Sequence, residues 1–347
     1  MALQQVPTVA TEYATLQRAE NAAAVAAVRR LWSRVGDDFT PGFLTVAPQI
    51  FEVMNTAQVR ISENAQAYIP EVLAATDQAK YDRPTFDIKP TTFVGVSGDG
   101  LPTETLAYGA VTRAKQAVGK GATVAQARNA GSQYLSLAVG TMLSDTRRGM
   151  EGIESASRPI TGYVRMLTPP SCGRCVILAG KRSRKSQAFQ RHNGCDCVNI
   201  PSAESIASDL TVNPSAYLDS LDERGLNKAL GSKANAAAYR DYGADSTQLI
   251  NAYRKAGAVR PAQITRGLVV NGKPVLERLT VKATIEGTTV RSYAYHQMSQ
   301  VRALSQTAKQ GGRYRRVAAP RLMPESILGL GLSRERTAQM LRDFGWI

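Results

Sequence analysis

Histidine occurs only twice and cysteine only four times in the 347 residues, and aromatic residues make up 6%. So little imidazole leaves few candidates for the general base that most hydrolytic sites use. The low aromatic content, with no segment that interleaves rings with Arg or Lys, argues against a module that reads nucleic-acid bases. No stretch approaches the ~18 uninterrupted apolar residues of a membrane span, and the start, MALQQVPTVATEYATL, lacks the basic region and apolar run of a secretory signal. The expectation is a protein made in the cytoplasm, with no membrane partner. Acidic residues are also scarce. There are 28 against 43 Lys and Arg, a formal charge of +15, so the chain should attract polyanions through their phosphate backbone, or simply carry a basic surface.

The chain exceeds the roughly 250–300 residues at which single cores stop growing, so more than one lobe is expected. Apolar residues at steps of three and four predict a helix over 11–35, stopped by Gly36, and a second after Pro41 with the stripe Ile50, Met54, Ala57, Ile61, Ala65 and Tyr68, interrupted at Pro70. Residues 82–101 read as a connector with a turn at Gly98-Asp99-Gly100, and helices over 103–118 and 123–150 follow, each opened by a Thr cap. Short helices are predicted over 203–209, 215–230, 233–242 and 246–255. Residues 268–290 alternate in the manner of strands around Asn271-Gly272, a hairpin signal. A last helix spans 333–344. The fold class is α+β: a mainly helical N-terminal region (1–81), a domain over 82–260 that carries the cysteines, a small β-rich segment (261–299), and a basic tail with a C-terminal helix (300–347).

Two acid-free stretches stand out. Pro159 to Cys195 holds seven cations, among them Lys181, Arg182, Arg184 and Lys185. The tail carries Arg302, Lys309, Arg313, Arg315, Arg316 and Arg321. Both are candidates for contact with nucleic acid or with an acidic partner, and both could equally be solvated surface.

All four cysteines fall within 26 residues, with one of the two histidines among them: Cys172-x2-Cys175, sixteen residues, then His192-x2-Cys195-x-Cys197. Paired soft ligands separated by such a loop are the usual way to present a tetrahedral set to Zn²⁺. Five ligands compete for four places. Cys172, Cys175, His192 and Cys195 are favoured because x2 spacing suits a tight knuckle, with Cys197 next in line. Four protein ligands leave no place for a substrate water, so the zinc would be structural, one per chain. Two disulfides or free thiols are the competing reading, and no secretion signal supports them.

This stretch resembles the MuF-like minor capsid proteins of tailed phages, also called head morphogenesis proteins, in the form carried by phages of actinobacteria. The family pattern of a Cys-x2-Cys, a Leu-x-Gly and a Phe-x-Arg-His-Pro-x-Cys-x-Cys reads here as Cys172-Gly-Arg-Cys175, Leu178-Ala-Gly180 and Phe189-Gln-Arg-His192-Asn193-Gly-Cys195-Asp-Cys197, with Asn193 in place of the Pro. Weaker likeness at Gly243-Ala-Asp245, Glu286-Gly-Thr-Thr289 and Pro320 to Ser326 extends it over roughly residues 85–347. The resemblance implies a MuF-like α/β domain in a low-copy head protein that acts in virion assembly with the portal and with major capsid or scaffold protein. It implies a location in the host cytoplasm during assembly and then in the capsid interior, close to packaged DNA, where a basic surface meets phosphate without sequence preference. Proteins of this gene position are also labelled capsid maturation protease, the alternative function.

The residues give that alternative thin support. His192 is better used with the cysteines, and His296 sits in a segment with no acid between Arg291 and Arg321 to orient it. Gly95-Val-Ser97-Gly98 is half a nucleophile elbow and reads as a turn. A Ser-Lys dyad stays open on composition, so the enzyme question leans towards no catalytic residues.

Overall fold

The computed structural model describes residues 6–167, 171, 173–180, 182–187, 195, 197–202, 214–253, 257–270, 273–286, 292–300, 309–311, 314–316 and 321–347. The chain is mixed α+β and mainly helical, with two small three-stranded sheets. It divides into two compact units, one of Leu3–Pro169 with Leu178–Asn213, the other of Met1–Ala2, Pro170–Ile177 and Pro214–Ile347.

The helical unit is built on α1 (Thr8–Trp32), α2 (Phe39–Ala75), α3 (Thr103–Gly119) and α4 (Val124–Ala156). The stripes read from the sequence are largely the buried faces, Leu16 of α1 being exposed. Val28 and Trp32 of α1 meet Phe43, Ile50, Met54 and Ile61 of α2, and Leu135, Val139 and Met142 of α4, in one core. Gly131 is required there: a Cβ would collide with the Trp32 ring, whose Nε1 donates to Arg128 O at 2.9 Å. Helix α4 starts at a capping box in which Thr123 and Gln126 each accept from the other's backbone N–H.

One expectation fails. α2 does not stop at Pro70 but runs through both Pro48 and Pro70 for 37 residues. A proline inside a helix costs ~3 kcal/mol. Beyond Pro70, Val72 and Leu73 are fully buried with Ile69 just before it, and at ~1.5–3 kcal/mol per side chain their burial offsets that cost.

A sheet of β1 (Gly162–Met166), β2 (Arg182–Arg184) and β3 (Val198–Ser202) closes this unit. Its order is β2-β1-β3, antiparallel throughout, with Met166 opposite Val198 and Gly162 opposite Ser202. Val164, Met166, Val198 and Ile200 pack against Tyr13, Tyr68 and Ile69 as a second core.

The other unit carries α5 (Gly173–Leu178), whose last residue falls to the helical unit, and α6 (Pro214–Asp219), α7 (Glu223–Leu230), α8 (Lys233–Tyr242) and α9 (Ser246–Ala252). The single helix predicted over 215–230 is therefore two, broken where Asp222 caps α7. A long hairpin follows, β4 (Val259–Val270) and β5 (Lys273–Thr284), in register from Val259–Thr284 to Val270–Lys273. The predicted strands are thus extended to Val259 on the N-terminal side, while Asn271-Gly272 and the helix expected over 203–209 lie outside the described residues. The remaining elements are α10 (Tyr293–Gln300), β6 (Lys309–Gly311), β7 (Tyr314–Arg316), β8 (Arg321–Leu322), α11 (Pro324–Leu328) and α12 (Arg334–Asp343). Strand β8 pairs with the end of β5, and Leu249, Met298, Met323, Ile327, Leu341 and Trp346 form the core.

Candidate metal centre

Cys175, Cys195 and Cys197 are all buried, and their sulfur atoms lie within 4.8 Å of one another. Three thiolates on a tetrahedral Zn²⁺ with bonds of ~2.3 Å would stand ~3.8 Å apart, so the spacing fits a shared ion. A disulfide needs sulfurs ~2.05 Å apart and would strand the third cysteine. The trio therefore fits a metal better than a bridge, and three soft donors suit zinc. Cys197, expected to stand second to Cys195, lies with it and Cys175 in the cluster. The preference for x2 spacing overlooked extended chain, where residues two apart share a face and an x1 pair can meet one ion. Cys172 and His192, the other two candidate ligands, lie outside the described residues.

The segment that carries Cys195 and Cys197 leads directly into β3, and helical side chains hold it from the side away from β1. Arg148 Nη1 donates to Cys195 O at 2.8 Å, and Arg147 Nη2 donates to Cys197 O at 2.6 Å. Tyr68 Oη donates to Asn199 O at 2.9 Å, and Gln78 Nε2 donates to Pro201 O, also at 2.9 Å. Four alternate carbonyls, at 195, 197, 199 and 201, thus each receive a donor from α2, α4 or the turn after α2.

Both guanidiniums are buried with a carboxylate. Arg147 Nη1 lies 2.8 Å from Glu151 Oε1, and Arg148 Nη2 lies 2.6 Å from Asp145 Oδ1. Tyr13 donates to Glu151 Oε1 at 3.0 Å and stacks on Tyr68, with ring centroids 3.9 Å apart. Burial raises both tyrosines well above the usual phenol range, and the Glu151 charge adds to it. Burial also lifts the Glu151 carboxyl, while Arg147 pulls it back. For Arg147, burial works against the charge, but Glu151 and Tyr13 more than restore it. Arg148 is lowered, first by burial and then by its neighbour Arg147.

Tyr68 was expected on the buried stripe of α2, but none of the charged residues of α4 was foreseen at this site. Asp145-x-Arg147-Arg148-x-x-Glu151 has the i,i+3 and i,i+4 spacing of ordinary solvated ion pairs. Helical phase gave no signal: at ~100° per residue Arg147, Arg148 and Glu151 fall off the apolar stripe of Leu135, Val139 and Met142, and they are buried because α4 is covered on nearly all sides between Met142 and Glu151.

The basic candidates are not gathered with the cysteines. Arg182 is half-buried on β2 and bonded to Thr161, whereas Arg184 and Lys185 are exposed at the end of that strand. Arg315 and Arg316 belong to β7, opposite Gln310 and Lys309. Lys181, Arg302 and Arg313 lie outside the described residues. Arg321 is a correction. Expected in the solvated tail, it is 2% exposed, stacked 3.6 Å from the Trp346 ring centroid, and donates to Phe344 O, Gly345 O, Glu286 O and Gln248 Oε1. Burial lowers its pKa to about 9, so it stays charged at neutral pH.

His296 is exposed on α10, its ring edge-on to Tyr295. Ser97 Oγ lies within hydrogen-bond distance of Asp99 and Leu101 O, inside a turn between Gly95 and Gly100, both at positive φ. Among the described residues, no helix is long and apolar enough to cross a membrane. No family model, curated protein or solved structure matches the chain.

Proposed function

We propose that this chain is a minor head protein of a tailed phage that acts in capsid assembly at or near the portal, with a MuF-like domain built around one structural zinc. The observation that carries the reading is the Cys/His motif: of its five candidate ligands, the three that are described, Cys175, Cys195 and Cys197, gather in one buried cluster. The ion would be held by Cys175, Cys195 and Cys197 with one further ligand from Cys172 or His192. It would supply cross-linking of distant chain segments and no hydrolytic chemistry. The protein takes part in assembly in the host cytoplasm and ends inside the capsid, where its basic residues meet packaged DNA without reading its sequence.

The test is co-sedimentation with procapsids assembled from portal, scaffold and major capsid proteins, alongside zinc analysis of the purified chain. The expected results are co-sedimentation that depends on portal, and about one zinc per chain that is lost in Cys175→Ser or Cys197→Ser. Absence from portal-containing particles would overturn the assembly role, and a folded, metal-free chain would overturn the zinc.

A further inference from the structure

We infer that Arg147 and Arg148 are positioning residues that pre-set Cys195 and Cys197 for a thiolate-bound metal ion, an inference that rests on the metal reading above. The two arginines and the two cysteines all belong to the helical unit. Consecutive residues of one helix do the same job on alternate residues of the facing segment: each guanidinium takes a carboxylate with one nitrogen and a cysteine carbonyl with another, at 2.6–2.8 Å. A planar guanidinium is suited to this, since two donors in one fork fix both direction and distance.

Stability alone does not account for the arrangement. Burying two ion pairs is costly, and apolar side chains of similar volume commonly serve as well or better. What the pairs add is register. With carbonyls 195 and 197 held from α4, a slip by one residue would turn both sulfurs away. Each thiolate is then left mainly its own side-chain rotation to lose when an ion binds. The guanidiniums also place positive charge beside sulfurs that must be deprotonated to ligate. Outer-shell groups of this kind typically contribute 10–100-fold to metal affinity.

The experiment is a Co²⁺ titration of the full, metal-stripped chain, read by the thiolate-to-cobalt charge-transfer band, with affinity set by chelator competition. Arg147→Met and Arg148→Met are compared with Arg158→Met. Arg158 is a buried arginine just beyond α4 that pairs with Glu154 and Asp82 and also bonds Glu154 O and Ser157 Oγ, none of them in the cysteine segment. Arg147→Met and Arg148→Met should each weaken cobalt binding 10–100-fold and reduce the band per bound ion, while Arg158→Met binds as the parent does at a comparable loss of metal-free melting temperature. Arg147→Lys and Arg148→Lys, which keep the charge but not the fork, should fall between and serve where a Met variant does not fold. Equal losses in all three Met variants would reduce the arginines to general stability and overturn the inference. Unchanged affinity in the Arg147 and Arg148 variants, Lys or Met, would overturn it as well. A parent chain that takes up no cobalt would sink the metal reading itself, and this inference with it.

Discussion

The two units handle positive charge differently. The helical unit holds 21 basic against 18 acidic residues, a net +3, and three of its buried arginines are matched with carboxylates: Arg147 with Glu151, Arg148 with Asp145, Arg158 with Glu154 and Asp82. The other unit holds 22 against 10, a net +12, so it carries most of the +15. Its buried arginine, Arg321, is held by neutral acceptors and the face of Trp346. In the first unit carboxylates bond directly to buried guanidiniums, whereas in the second the buried guanidinium bonds to neutral acceptors and an acid, Asp245, supports it only through its charge. The carboxylate-matched buried cations and most of the excess positive charge thus lie in different parts of one chain.

The largest expected effect would break this comparison. Arg158→Met leaves Glu154 buried without its cation, which should cost ~3–5 kcal/mol, because an uncompensated buried charge is worse than none. Arg321→Met leaves only carbonyls and an amide without a donor and should cost ~2 kcal/mol. Urea unfolding of both variants checks the order, and Arg158→Met/Glu154→Gln should recover part of the first loss with no counterpart for Arg321. An equal cost, or the reverse order, would mean that the carboxylate partners do not set the difference.

The same contrast explains what could be read in advance. Helices α1 to α4 were legible because their buried faces repeat on a helical period, as Ile50, Met54, Ala57 and Ile61 do. The cysteine cluster was legible because thiols are rare and close in sequence. The continuation of α2 past Pro70 was not, since it depends on partners such as Ile200 more than a hundred residues away. Arg147, Arg148 and Glu151 have the local spacing of a solvated helix, and only tertiary packing makes that face an interior. Arg321 sits in an acid-free run that reads as solvated tail, yet Trp346, 25 residues on, covers it.

The second effect concerns surface charge. If the +12 unit binds duplex DNA by counterion release, log affinity should fall with log salt at a slope of about −0.9 per phosphate engaged. Replacing Arg313, Arg315 and Arg316 together by Gln should flatten that slope by up to about three units. Arg29, Arg30 and Arg34, exposed near the end of α1 in the +3 unit, are the matched control, and their triple Gln variant should leave the slope unchanged. Zinc content should stay constant in both. Equal flattening by the two triples would mean that net charge, not its placement, governs binding. If neither flattens it and the first triple instead fails to co-sediment with procapsids, the tail docks on an acidic protein face.

The smallest effect asks whether the units also differ in how their helices begin. Both use side-chain caps: Thr123 on α4 in the +3 unit, and Ser232, Asp245 and Ser333 on α8, α9 and α12 in the +12 unit. A cap replaced by Ala usually costs ~1 kcal/mol. Helix α4 is 33 residues long and packs along much of its length, so fraying its first turn in Thr123→Ala should cost no more than that. Helix α9 has seven residues, and its cap, Asp245, also donates its backbone N–H to Trp346 O at 2.9 Å, beside Arg321. Among the described residues, Asp245 is the acid whose charge supports that buried guanidinium. Asp245→Ala therefore removes a cap and a counter-charge together and should cost ~2 kcal/mol, whereas Asp245→Asn keeps the cap and should recover about half. If Asn recovers everything, the counter-charge contributes nothing and Arg321 rests on neutral acceptors alone, which would make the contrast between the two units sharper still.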